Sequence, residues 1–233
     1  MLNLDAKMEK DNMYPWVTRT RNYIGGECPH KCVYCYVNTL KQRFRHVKKR
    51  YTGEPFLITS ELEKSEGQNN VIFVQDCGDL FAEAIPDEWI KQVLEHCRAY
   101  PSNMYLFQSK NPMRFFHFTG LLPQYCMLGT TMESDISYPN VSRAPSQAER
   151  ALAMSMLKGF QTMISVEPVM DFNLHGFVKI IRDIHPKFVS IGADSKRCSL
   201  KEPDRAKLVR FIDSLREFTE VRTKKNLRRI LDG

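Results

Sequence analysis

Along residues 20–195, short runs of apolar, mostly β-branched or aromatic residues alternate with longer stretches in which apolar positions recur every three or four. The short runs are "RNYIGG" (21–26), "NVIFVQD" (70–76), "NMYLFQS" (103–109), "CMLGTTM" (126–132), "TMISVEP" (162–168) and "KFVSIGA" (187–193). Each has the length and composition of a strand. Between them Ile85, Trp89, Val93 and Cys97 form a helical stripe after a Pro86-Asp87 start. "APSQAERALAMSMLKGF" carries Ser146 and Glu149 at capping-box spacing and a Gly159 stop. Leu174, Phe177, Val178, Ile181 and Ile184 make a third stripe, and Leu208, Ile212, Leu215 and Phe218 the last. Six strands alternating with about six helices predict an α/β fold with parallel strands. Near-continuously apolar strands are those covered on both faces, in an open doubly wound sheet or a barrel-like one.

Length and composition narrow this further. At 233 residues with 42% hydrophobic and 26% charged positions, the chain fits one soluble domain spanning 1–233. No apolar run reaches the roughly 18 residues a membrane span needs. "MLNLDAKMEKDNMYPW" has no apolar core of the signal-peptide kind, so a cytoplasmic location and no membrane partner are expected. In that compartment seven cysteines argue for metal or redox chemistry rather than disulfides. The formal charge of +7 is concentrated in "KQRFRHVKKR" (41–50) and in "VRTKKNLRR" (221–229), within a C-terminal helix and basic tail over 202–233. Such runs attract phosphates or simply form a solvated helix face.

The densest chemistry lies in "GGECPHKCVYCY", where Cys28, Cys32 and Cys35 are spaced C-x3-C-x2-C within a loop over 25–38. A structural zinc site takes four ligands, and His30 or His46 could complete such a set. A disulfide would leave one thiol over. A four-iron cluster held by three thiolates leaves one iron for a small molecule.

With the aromatic Tyr34 before its last cysteine, "CPHKCVYC" resembles the cluster motif of radical S-adenosylmethionine (SAM) enzymes. It stands after the first strand, where that superfamily carries it. "TRTRNYIGGECPHKCVYCYV", "SKNPMRF", "ISVEPVM" and "KKNLRRIL" resemble an often phage-associated radical-SAM family without a settled substrate; spore photoproduct lyase is a more distant likeness. The resemblance implies a partial (β/α)6 TIM-like barrel. It also implies a [4Fe-4S] cluster on Cys28, Cys32 and Cys35, with SAM chelating the fourth iron. Reductive cleavage of SAM would yield a radical that abstracts hydrogen from the substrate, with an electron donor such as flavodoxin or ferredoxin. Tyr34 would lie near the adenine, or plug the barrel mouth.

In parallel barrels function gathers at the carboxyl ends of strands. Those ends carry Asp76, Gly78 and Asp79; Gln108 to Asn111; Thr130, Thr131 and Glu133; Glu167 and Asp171; and Gly192, Asp194 and Ser195. In the superfamily the second strand end holds the SAM amine through a Gly-Gly-Glu stretch. Here "QDCGDL" replaces it and offers Asp76 or Asp79. Thr130 and Glu133 resemble the ribose-contacting position. Glu167 in "SVEP" is either a site carboxylate or half of a buried salt bridge with Lys110 or an arginine. Cys97 and Cys126 read as core, while Cys77 and Cys198 are candidate hydrogen-atom donors. The basic chain favours DNA, RNA or a nucleotide as substrate class. The alternatives are a peptide- or protein-modifying enzyme and a non-enzymatic zinc or iron–sulfur nucleic-acid-binding module.

Overall fold

The computed structural model describes residues 14–232, so most of the N-terminal stretch read above for a leader lies outside the described residues. Strand β1 (Arg19–Arg21) opens a sheet that continues through β4 (Val71–Val74), β5 (Met104–Gln108), β6 (Cys126–Thr131), β7 (Gln161–Val166), β8 (Phe188–Ile191) and β9 (Glu220–Thr223). Every pairing is parallel, and β1 and β9 are edges, so the sheet is a partial barrel. Two further strands, β2 (Ile24–Gly25) and β3 (Phe56–Leu57), form a separate antiparallel ribbon.

Helices α1 (Tyr36–Arg43), α2 (Arg45–Arg50) and α3 (Thr59–Leu62) lie between β2 and β4; α4 (Asp87–Arg98) follows β4. After β5 comes a 3-10 stretch, Pro112–Leu121, and then α5 (Gln147–Met156), α6 (Leu174–Ile184), α7 (Arg205–Arg216) and α8 (Arg228–Leu231) follow β6 to β9 in turn. Helix α5 starts at the Ser146–Glu149 capping box, both halves of which are made. No helix of the described residues is long and apolar enough to cross a membrane.

Strand alternation sends successive side chains to opposite faces of the sheet. Ile72, Val74, Tyr105, Phe107, Leu128, Ile164, Val189 and their neighbours pack outward against the helices. Phe73, Leu106, Met127, Met163 and Phe188 turn inward onto Tyr14, Trp16 and Val17. Tyr14 lies 5.9 Å from the ring of Phe73 on β4, and Trp16 meets Phe188 on β8 edge-on at 5.5 Å. The Arg222 guanidinium of β9 sits 4.0 Å from the Phe188 ring centre. The segment before β1 thus crosses the concave face and fills the interior between distant strands. Full burial of each such aromatic is worth roughly 1.5–3 kcal/mol.

Two elements differ from the sequence pattern. The first strand ends at Arg21 instead of running over 21–26. The Tyr23 and Ile24 amides donate to Gln75 Oε1 at 3.0 and 2.9 Å, and Gln75 Nε2 donates back to the Ile24 carbonyl, so one buried side chain replaces a ladder partner. The basic tail contains a seventh sheet strand, β9. Its sequence, "EVRT", has a single apolar residue, because an edge strand needs little more.

Candidate active site at the carboxyl ends of the strands

The carboxyl ends of the sheet strands surround a cavity of about 490 Å³, and the cysteine loop covers it. Local backbone geometry sets that loop. Gly26 has φ +83°, its amide donates to the Arg50 carbonyl at 2.8 Å, and a Cβ there would run into the backbone of Glu54. Lys31 takes a positive φ inside the loop, and Cys35 stands at the entry to α1. As a result Cys28, Cys32 and Cys35 all line one cavity. Burial, then the Asp79 carboxylate and the two other cysteines, push the Cys28 thiol well above its ordinary range. Burial also raises the Cys35 thiol. Three thiols on one cavity wall, one buried and two half-buried, are a donor set that becomes stable as thiolates when a metal centre supplies positive charge. Among the described residues no group of three or more His, Cys, Asp or Glu is arranged to hold a metal ion.

The turn after β4 carries Asp76, Cys77, Gly78 and Asp79, all on the cavity wall. Asp79 is buried and saturated. It accepts from Ser109 Oγ at 3.0 Å, the Lys110 amide at 2.8 Å and the Phe81 amide at 2.9 Å, and lies 2.6 Å from His30 Nε2. Burial would raise its carboxyl, yet the His30 charge and these bonds hold it below its ordinary value. Asp79 therefore ties the cysteine loop to β5, and His30 is its partner. His46 sits on exposed α2 beside Phe44. Asp76 accepts from Asn22 Nδ2 at 2.5 Å and from the Tyr36 hydroxyl at 2.8 Å. Cys77 Sγ is 3.5 Å from that same hydroxyl, and burial and Asp76 raise its thiol to about 12.

A second cluster joins Tyr34 to the sheet. Lys110 Nζ donates to the Tyr34 hydroxyl and to Glu133 Oε1, the Tyr34 hydroxyl donates to Glu133, and Arg150 Nη1 reaches Glu133 Oε2 at 3.1 Å. Tyr34 and Lys110 line the cavity, while Glu133 lies behind them at 1% exposure. Burial alone would raise the Glu133 carboxyl; Lys110 and Arg150, with the bonds from Lys110 and Tyr34, bring it down to about 2. On β6 it is Thr131 that lines the cavity, and Gln108 Nε2 donates to its hydroxyl at 3.0 Å. Thr130 is fully buried and is not part of the cavity wall, because neighbouring strand positions face opposite ways.

Glu167 lines the cavity and pairs with Lys224, not with Lys110 or an arginine. Lys224 follows β9, so its place depends on a strand absent from the sequence pattern. Its ammonium lies 4.6 Å from the Tyr14 ring centre, and Asn226 Nδ2 donates to Glu167 at 3.2 Å. Gly192 makes room for this carboxylate: a Cβ there would stand 2.6 Å from Glu167 Oε1. Of the two thiols considered as donors, Cys77 lines the cavity; Cys198 lies outside its wall, 3.7 Å from the Val33 carbonyl. Lys224 and Tyr36 are not marked as site residues by spacing. Lys110 is among the strand-end candidates read from sequence, and the structure brings it to Glu133 and Tyr34 instead of Glu167.

The fold is similar to that of solved radical SAM enzymes. A spore photoproduct lyase variant with bound AdoMet and dinucleoside spore photoproduct superposes with a TM-score of 0.54 at 10% identity, covering 84% of this chain and 60% of the lyase. A further lyase variant gives 0.55 at 11%, covering 91% and 73%. Streptococcus suis SuiB bound to precursor peptide SuiA gives 0.58 at 11%, covering 89% of this chain and 49% of SuiB. The chain thus spans about 60% of the first lyase and half of SuiB, and at these identities the likeness shows the fold alone. No curated protein matches it in sequence. Residues 13–181, well over half the chain, match the family model described as "Protein of unknown function (DUF5131)", and the chain belongs to that family.

Proposed function

We propose that this chain is a radical SAM enzyme whose [4Fe-4S] cluster is held by Cys28, Cys32 and Cys35. The observation that carries the reading is the placement of these three thiols of one loop on the cavity where the strand ends converge. The donor set favours a cubane over a lone zinc ion. Structural zinc takes four ligands, but His30 is held by Asp79 and His46 lies on exposed α2 beside Phe44. A cubane binds each thiolate at a different iron. When bound, the cluster and SAM supply a one-electron cleavage of SAM, giving methionine and a radical that abstracts hydrogen from the substrate.

The chain's own residues bind, orient and enclose. Asp79, bonded on all sides, holds the cysteine loop against β5 and has no acceptor capacity left for the SAM ammonium. Asp76, held by Asn22 and Tyr36 at the cavity wall, is the carboxylate that remains for it. Gly78 leaves room for Gln75, whose Nε2 would stand 2.9 Å from a Cβ there. Tyr34, fixed by Lys110 and Glu133, presents its ring for the adenine, and Thr131 takes the ribose-facing position proposed above for Thr130. Glu167 and Lys224 form the opposite wall as a neutralised pair. Cys77, half-buried against Tyr36 and kept as a thiol, is the better placed hydrogen-atom donor. A flavodoxin- or ferredoxin-type donor and kinship with the phage-associated family belong to the same proposal.

The test is anaerobic purification with iron and sulfide analysis, followed by reductant-dependent release of 5′-deoxyadenosine from SAM. We expect a four-iron cluster per chain and cleavage that Cys32→Ala abolishes. One tightly held zinc with no SAM cleavage would overturn the reading in favour of a zinc module.

A further inference from the structure

We infer that α1 and α2, with the Phe44 break between them, form a docking surface for single-stranded nucleic acid at the cavity mouth. The occupant is named on the assumption that the cavity is the active site proposed above; the binding itself does not depend on cluster chemistry. Residues 41–50 carry six of the chain's Lys and Arg and no acidic residue. Lys41 and Arg50 are engaged, with Glu27 at 3.7 Å and Glu61 at 3.1 Å. Arg43, Arg45, Lys48 and Lys49 have no carboxylate partner among the described residues, and all four are exposed. In the other basic run at least three of the five cations are paired. Arg222 pairs with Glu220, Lys224 with Glu167 and Arg229 with Glu202.

Position and shape identify the occupant. Arg43 lines the cavity, as does the exposed Lys196 on the loop after β8, so cations stand at two places on the same rim. Arg45, Lys48 and Lys49 are spaced three and four apart and share a face of α2. Like charges at that spacing destabilise a helix, and a polyanion reverses the cost. Phe44 breaks the run with an extended backbone (φ −127°, ψ 116°) and exposes 46% of its surface, its ring tilted against His46 at 5.8 Å. An exposed aromatic among cations is the arrangement that stacks a base while phosphates are held on either side. A base still paired in a duplex could not enter a cavity beside the cluster loop, whereas an unpaired one can. An acidic peptide satisfies the charges but leaves the exposed ring unused.

The test is fluorescence anisotropy of the reconstituted protein with a short mixed-sequence single strand, its duplex and polyglutamate, between about 50 and 200 mM salt. We expect the single strand to bind tightest, with affinity falling linearly in log salt. Replacing Arg45, Lys48 and Lys49 together by Ala should make that slope shallower by about 2, at about 0.7 per phosphate contact. Phe44→Ala should weaken binding by at least about fivefold at unchanged slope, the stacking of one base. Lys91→Ala on α4 should do neither. Iron content and the thermal midpoint confirm that each variant is folded. Equal affinity for polyglutamate, a slope untouched by the triple substitution, or duplex binding with a silent Phe44→Ala would each overturn the inference. Absence of SAM cleavage in the unaltered protein would overturn the enzyme reading alone and leave these binding results standing.

Discussion

Replacing Glu133 by Gln tests whether the Tyr34–Lys110–Glu133–Arg150 cluster is a real electrostatic unit. Glu133 is 1% exposed and Arg150 2%, so the substitution leaves a buried guanidinium and the Lys110 ammonium facing a neutral amide. Breaking a buried pair on one side costs about 3–5 kcal/mol. A second route gives a similar figure. The Glu133 carboxyl falls from an ordinary 4.5 to about 2 in the folded chain. At about 1.4 kcal/mol per pH unit, that difference is worth ~3 kcal/mol. The folded-state value is the lower one, so this stability is fully present above pH 4.5 and is lost as pH falls towards 2. Urea unfolding followed by the fluorescence of buried Trp16 measures both effects, on iron-free protein so that acid loss of a cluster plays no part. Glu133→Gln should lower stability by about 3 kcal/mol at neutral pH. Its deficit should shrink as pH drops from 5 towards 2. A deficit under about 1 kcal/mol, or one that stays constant with pH, would refute the cluster.

Other substitutions probe the remaining framework. Gly192→Ala should displace the Glu167 carboxylate from Lys224 and Asn226 and cost about 1–3 kcal/mol in thermal unfolding. Trp16→Ala should cost about 3–5 kcal/mol, because Trp16 fills the concave face against Tyr14 and Phe188. Trp16→Phe should cost far less than the lost area implies, since the buried indole N–H has no partner among the described residues and its removal relieves a penalty of about 1–3 kcal/mol. Ser146→Ala should remove the α5 capping box for about 1 kcal/mol in urea, with no effect on iron content.

The periodic pattern alone determined most of the scaffold. Five of the six apolar runs are sheet strands, α4 to α7 carry the stripes read from spacing, and the Ser146 cap is where its motif places it. These features are local: a strand buried on both faces must be apolar throughout, and a helix facing a sheet must repeat every three to four residues. The three cysteines were legible for the same reason, since eight consecutive residues contain the whole motif. What spacing could not supply was decided by tertiary contact. Asp76 and Asp79 are three residues apart and both on the cavity wall, yet one is saturated by His30, Ser109 and backbone amides while the other accepts from Asn22 and Tyr36. Strand alternation selected Thr131 over Thr130 at the cavity wall, and the partner of Glu167 proved to be Lys224, fifty-seven residues away and just after a strand with one apolar position. Partner choice between charges depends on which strand ends meet in space, and that follows from the closing of the sheet, which no window of neighbouring residues encodes.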